Sequence, residues 1–238
     1  MNQFGRDPNG SIVQNRASSI QTYMSGVYGW MFAGITLTAV VSYFLMMNEY
    51  AFRLFLSQNS MIIFLLIGAQ FGIVIALSAA MKKLSASAAT ALFMLYSALT
   101  GVTLSAIMMQ YTTSSVAGAF ITAAGMFGAM TFIGYTTKRD LTKMGSFLMM
   151  GLIGIIIASI VNIFLKNTGL NLLISYLGVI IFVGLTAYDT QKLKEIGEQI
   201  DENDASTFRK YTIFGALTLY LDFINLFIML LRIMGDRR

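Results

Sequence analysis

Long apolar segments alternate with short polar connections along almost the whole chain. An α-helix needs about 20 apolar residues to cross the hydrocarbon core of a bilayer, and seven segments have this character. They lie at 25–47, 60–81, 87–110, 115–136, 145–165, 170–190 and 212–233. The pattern predicts an all-α integral membrane protein with seven transmembrane helices. We expect residues 1–22 to form a polar cytoplasmic segment and residues 23–238 to form the transmembrane domain.

The composition supports this prediction and restricts the chemistry. Hydrophobic residues make up 56% of the chain and charged residues 11%, whereas soluble domains carry about a quarter charged residues. The single proline, Pro8, precedes every apolar segment. Cysteine and histidine are both absent, which excludes disulfides, thiolate chemistry and the side chain that most often titrates near neutrality. Any response to pH must therefore come from carboxylates, and we expect no bound cofactor.

The distribution of cations predicts the orientation in the membrane. The net charge is +5, but Lys and Arg lie mostly in the connections between spans, which favours a role in topology over nucleic-acid binding. Eleven of the 16 Lys and Arg residues fall on the side of the N-terminus. Because cytoplasmic loops are enriched in these residues, we expect the N-terminus in the cytoplasm and, after seven spans, the C-terminus outside. A re-entrant last segment, with both ends inside, is the alternative.

One aspartate interrupts the last apolar segment, and another ends the segment before it. Asp222 lies in the middle of 216–231, and Asp189 closes 170–190. A carboxylate inside a membrane costs roughly 2.5–3.5 kcal/mol unless it finds a partner or water. We therefore expect these two acids to meet and to share a proton or a cation. Two carboxylates in contact titrate in coupled steps, so the pair predicts a proton sensor without histidine. A purely structural clasp between two helices is the alternative.

Neighbouring polar side chains are placed to join this pair. Helical spacing puts Thr186 on the same face as Asp189. It likewise puts Thr218 and Asn225 on the same face as Asp222. Oxygen atoms are the ligands that calcium prefers, so these side chains are candidates to line a pore and to help the two carboxylates hold a transient calcium ion.

Two lysines and one glutamine complete the candidate residues. Lys82 and Lys83 end the second span on the same side of the membrane as Asp189. A Lys–Asp pair there would latch the helices together, and protonation of the acid would weaken it. Gln70 is a candidate for a polar cavity, because a buried amide is costly without partners. The acids meet only if the last helix starts well before the membrane, which a cap near Asp204 or Ser206 would allow.

The fourth span contains two pairs of small residues spaced four apart. They are Ala124 with Gly128, and Gly125 with Ala129. Such pairs let helix backbones approach closely, so we expect ordinary helix packing at this point.

These motifs together resemble a known family. Ala187-Tyr-Asp189-Thr-Gln-Lys192 and Leu219-Tyr-Leu-Asp222-Phe-Ile-Asn225-Leu-Phe227, with Ala124-Gly-Met-Phe-Gly128 upstream, are similar to the bacterial branch of the Bax inhibitor-1 (TMBIM) family. The resemblance implies a bacterial inner-membrane protein whose last helix is central and wrapped by the other six. It also implies a pH-sensitive calcium leak gated by the two aspartates. The family's basic latch, often arginine, corresponds to Lys82, and lysine lacks the bidentate fork of arginine.

Three functions compete. The first is the calcium leak channel, with the lipid bilayer and calcium ions as partners. The second is a membrane-embedded regulator of another membrane protein such as a protease, because bacterial relatives are linked to that role. The third is an intramembrane aspartyl protease, whose second acid stands in a Gly-x-Gly-Asp motif. Here the second acid follows Tyr220-Leu221, whose bulk does not fit that motif, so we expect a protein that is not an enzyme.

Overall fold

The structure, a computed structural model, describes residues 8–58, 60–81, 83–200 and 204–238. Within these ranges the chain is almost entirely helical. Its helices are α1 (Pro8–Met47), α2 (Glu49–Gln58), α3 (Ser60–Ala79), α4 (Ala86–Met108), α5 (Thr113–Thr136), α6 (Thr142–Leu165), α7 (Thr168–Gly197) and α8 (Ala205–Met234). In the described part of the chain, seven of these are long and apolar enough to cross a membrane. The protein is therefore an all-α membrane protein with seven spans, as predicted.

The short helix α2 is the one element that the hydropathy pattern did not predict. Its ten residues lie between the first two spans and are too few to cross a bilayer. Arg53 donates to Glu49 over 2.8 Å, one turn apart on the helix, and Phe52 is buried beneath them. A local ion pair and one anchoring aromatic side chain are features that a search for long apolar segments does not detect.

Helix ends also differ from the predicted boundaries. The helix α1 begins at Pro8, inside the segment predicted to be polar, where proline is tolerated in the first turn. The helix α8 begins at Ala205, where the side chain of Asp204 accepts a hydrogen bond from the Thr207 amide over 3.0 Å. This confirms Asp204 as the helix cap. Because α8 starts 17 residues before Asp222, about 26 Å of helix precedes that acid.

The last helix is the most buried part of the fold. In the most apolar stretch of α8, 72% of the residues are buried, against 44% in α4 and α7 and 22% or less in the other spans. It packs against α1, α4, α5 and α7, whereas α3 packs mainly on α4, and α6 on α7. A helix surrounded by others must carry apolar residues on all sides, as α8 does. The wrapping of α8 by all six other spans stays a prediction.

Glycines determine how closely α7 is approached by its neighbours. A Cβ atom at Gly134 of α5 would lie 2.9 Å from the Cα and carbonyl carbon of Ala187, closer than side chains tolerate. A Cβ at Gly145 of α6 would overlap the ring of Tyr188. At Gly125 and Gly128, by contrast, no described atom lies within 4 Å of the Cβ position. The ordinary packing expected at the small-residue pairs agrees with this open space, and the close approach of backbones in α5 occurs about two turns later, at Gly134.

Candidate functional site

The packing of α7 against α8 brings Asp189 and Asp222 together. Their carboxyl groups lie within hydrogen-bonding reach of each other. Asp222 is 5% exposed and is surrounded by the apolar interior of the bundle. Its Oδ2 atom is buried and has no hydrogen-bond partner among the described residues. A proton or a cation between the two groups would remove the repulsion that two ionised carboxylates in contact would suffer.

The two acids occupy different environments. Asp189 is less buried than Asp222, and it interacts electrostatically with Lys192, three residues further along α7. The Nζ atom of Lys192 also lies 5.8 Å from the ring centroid of Tyr188. One acid thus lies deep in the interior, and the other lies beside a cation near the end of α7. Lys192 was not among the residues predicted from the sequence, although its spacing from Asp189 places both on one helix face.

The predicted basic latch is not assembled in the described residues. Lys82 lies outside them. The side chain of Lys83 is exposed, and no described carboxylate lies within ion-pair distance of it. The cation that the structure places beside the acid pair is therefore Lys192, and the latch role of Lys82 and Lys83 stays a prediction.

The three candidate oxygen ligands are bonded to their own helices. The hydroxyl groups of Thr186 and Thr218 donate to the carbonyl four residues earlier, over 2.7 and 3.1 Å. The Nδ2 atom of Asn225 does the same over 2.8 Å. These bonds use hydrogens and leave oxygen lone pairs available. Thr186 is fully buried, and the other two are partly buried.

Gln70 belongs to a different contact. Its Nε2 atom donates to the Thr103 hydroxyl over 3.1 Å and lies 3.4 Å from the Thr100 hydroxyl. These bonds join α3 to α4 rather than to the helices that carry the acids. In this structure Gln70 therefore links two helices, and a role in the pore stays a prediction.

A buried hydrogen-bond chain that includes Tyr220 of α8 was not predicted from the sequence. The hydroxyl groups of Thr38 and Tyr220 lie 2.6 Å apart, and Thr38 also donates to the carbonyl of Ser97 over 2.8 Å. The ring of Tyr220 packs edge-on against Phe93 and Tyr96. These contacts tie α8 to α1 and α4 two residues before Asp222. A tyrosine within the last span was the only signal, since threonine and serine commonly bond to their own helix.

A cluster of three hydroxyl groups includes the residue that follows Asp189 in the chain. The Tyr28 hydroxyl of α1 lies beside those of Thr131 in α5 and Thr190 in α7. All three oxygens are buried, and none makes a well-formed hydrogen bond to a described residue. Thr190 directly follows Asp189. Polar groups that are buried without partners are uncommon in proteins, so their gathering here marks this part of the bundle as polar.

Comparison with known proteins agrees with this architecture. Residues 20–238 match the family described as "Inhibitor of apoptosis-promoting Bax1". The chain is 58% identical to Inner membrane protein YbhL of Escherichia coli (strain K12) over 238 residues, the whole of both chains. It is 49% identical over 216 residues to a Borreliella burgdorferi protein, covering 91% of this chain and 92% of the relative. A Deinococcus radiodurans protein is 41% identical over 230 residues, 94% of each. These matches, with the seven spans, show that the chain belongs to the Bax inhibitor-1 family and is a multi-pass protein of the inner membrane.

Proposed function

We propose that this protein is a pH-sensitive cation leak channel that passes calcium and is gated by the contact between Asp189 and Asp222. The observation that supports the proposal is the meeting of two carboxyl groups inside the bundle, where one of them is 5% exposed. Burying acids is costly, and acids inside membrane spans usually mark proton or ion pathways. A clasp made only for stability would more cheaply use apolar residues.

The gating step follows from the charge of the pair. Two unit charges about 4 Å apart repel each other by about 4 kcal/mol at an effective dielectric constant of about 20, so contact favours one shared proton. The singly protonated pair keeps one negative charge, which attracts Lys192. Lys192 is on the same helix as Asp189, so it stabilises that charge without joining two helices. In this proposal the shared proton joins α7 to α8, and the remaining negative charge holds the latch predicted at Lys82. A second proton makes the pair neutral and removes the attraction, so acidification opens the path.

A calcium ion in the path would use oxygens of the same site. Calcium takes six to eight oxygen ligands, and each carboxylate offers two. Thr186, Thr218 and Asn225 retain oxygen lone pairs that face no other donor in the described residues. Water would supply the remaining ligands. A site that is completed by water holds calcium weakly, which suits a leak rather than a store.

Purified protein in liposomes that contain a calcium-sensitive dye tests the proposal. Calcium influx should rise as the pH is lowered from about 8 to about 5, because contact between two carboxylates moves the upper step of their coupled titration towards neutrality. Asp189→Asn removes one carboxylate of the pair, and with it the negative charge on which the proposed latch acts. This variant should show raised influx near neutral pH and little further response to acid. Asp140→Asn is the matched control, because Asp140 is an exposed acid in the connection between α5 and α6, and it should behave as wild type.

Three results would contradict the channel. Wild-type liposomes could show no influx at any pH. Asp189→Asn could keep the wild-type pH profile. The control could change the flux as much as Asp189→Asn does. If another membrane protein co-purified with a chain that passes no calcium, the regulatory function implied by the family resemblance would be favoured.

A further inference from the structure

A cavity lies far from the acid pair, where α7 begins and α8 ends. It has a volume of about 320 Å³, and its lining includes Thr168, Asn171, Ser175, Arg232 and Arg237. Ser175 is buried at its base, whereas Thr168 and Arg237 are exposed at its rim. The cavity is therefore a polar recess that opens at one end of the bundle.

Two arginines enter this cavity, and no described carboxylate pairs with either of them. Arg232 is partly buried, and no described residue accepts a hydrogen bond from its guanidinium group. Arg237 lies close enough to repel it and stacks on the ring of Tyr111, 6.0 Å from the centroid. The nearby acid Glu49 is already paired with Arg53 and Arg238, at 2.8 and 3.6 Å. Two cations that share a recess without an acceptor are an unfavourable arrangement unless an anion joins them.

The rest of the lining also favours an anion. The first turn of α7 borders the cavity, and the start of a helix carries a partial positive charge. Thr168, an exposed residue of this turn, has a hydroxyl that can donate. The Ser175 hydroxyl is not a free donor, because its hydrogen is given to the carbonyl of Asn171 over 2.8 Å. The described residues of the lining include no carboxylate. The recess thus presents donors and positive charge from two helices.

We propose that this cavity binds a phosphate group through Arg232 and Arg237. Arginine presents a planar fork of N–H groups that matches phosphate oxygens in a bidentate way. Arg232 lies two residues before the end of α8, which is one of the seven spans. The ends of spans lie at the depth of the lipid headgroups, so the phosphate of an anionic phospholipid can reach the site from the bilayer and a free phosphate ion can reach it from water.

Binding to the full-length protein in detergent tests this site, independently of any calcium flux. The probes are short-chain phosphatidylglycerol, short-chain phosphatidylcholine and inorganic phosphate, and the readouts are the thermal midpoint and bound lipid by native mass spectrometry. Arg232→Gln and Arg237→Gln should each weaken binding roughly tenfold to a hundredfold, the scale of losing charge-assisted hydrogen bonds. Arg237 is exposed, so its variant keeps the test valid if Arg232→Gln does not fold. Lys166→Gln is the control, because Lys166 is an exposed cation at the same end and does not line the cavity.

The probes distinguish the source of the phosphate group. Arginine-dependent binding of phosphatidylglycerol alone supports a lipid headgroup site, and arginine-dependent binding of inorganic phosphate as well supports a site for soluble phosphate. The proposal is overturned if no probe binds. It is also overturned if phosphatidylcholine binds as tightly as phosphatidylglycerol, because binding would then reflect lipid affinity in general. The same holds if Lys166→Gln weakens binding as much as the arginine variants do, because binding would then reflect net charge.

Discussion

The contact between α5 and α7 leads to a sharp prediction about Gly134. A Cβ atom there would lie 2.9 Å from the Cα and carbonyl carbon of Ala187. These are backbone atoms, which cannot rotate away as the end of a side chain can. Gly134→Ala should therefore push α5 and α7 apart, two residues before Asp189.

The size of the effect follows from comparison with Gly128→Ala on the same helix. Both changes gain about 1 kcal/mol of helix propensity. Gly128 has no described atom within 4 Å of the Cβ position, so its alanine adds no collision. The propensity gain cancels between the two variants, and the difference is the cost of the overlap, about 1–3 kcal/mol. At about 2–4 °C per kcal/mol for a chain of this size, Gly134→Ala should melt roughly 2–12 °C below Gly128→Ala.

The assay is thermal unfolding of both variants in one detergent at one heating rate. Calcium influx in liposomes would show whether the displaced α7 also alters the acid pair, and we expect a changed pH profile for Gly134→Ala only. Equal melting temperatures for the two variants would refute the argument, because they would mean that the backbones of α5 and α7 are not in contact at this point.

Three further predictions follow from individual contacts. Asp222→Asn leaves a single titrating acid in the pair, so the pH profile of calcium influx should become that of one group; an unchanged two-step profile would contradict the pairing. Thr38→Val should cost about 1–3 kcal/mol, because the buried Tyr220 hydroxyl loses its hydrogen bond of 2.6 Å, whereas Tyr220→Phe should cost only about 0.5–1.5 kcal/mol. Equal losses in thermal stability would argue against this hydrogen bond. The hydrogen bonds from the first turn of α8 hold the pKa of Asp204 below its usual range. The contribution of the Asp204 cap to stability is therefore complete above the unfolded pKa of about 4. It is lost as the pH falls through the lower pKa of the folded state. The thermal midpoint of Asp204→Ala should thus lie below that of wild type at neutral pH and converge with it in strong acid, and a constant gap would contradict the cap.

The candidate site was predicted in part from the sequence. A carboxylate inside an apolar segment is visible in the sequence because its transfer cost is large, so Asp189 and Asp222 could be singled out together. Lys192 could have been found from its spacing along the same helix. The partners of Gln70 could not be predicted, because its contact with α4 depends on which face of α3 turns inward. The cluster of Tyr28, Thr131 and Thr190 could not be predicted either, because its members come from three helices.

The sequence by itself determined that the chain is a seven-span helical membrane protein with two acids in its last pair of spans. It did so because hydrophobicity and backbone hydrogen bonding in lipid act along each segment separately. Only the tertiary structure decided which helices touch: the contact lies at Gly134 and not at Gly128, and Arg232 and Arg237 share one recess. Such contacts depend on the rotation and crossing of helices, which are determined by side chains distant in the sequence. The local sequence pattern carries no information about which helix faces meet.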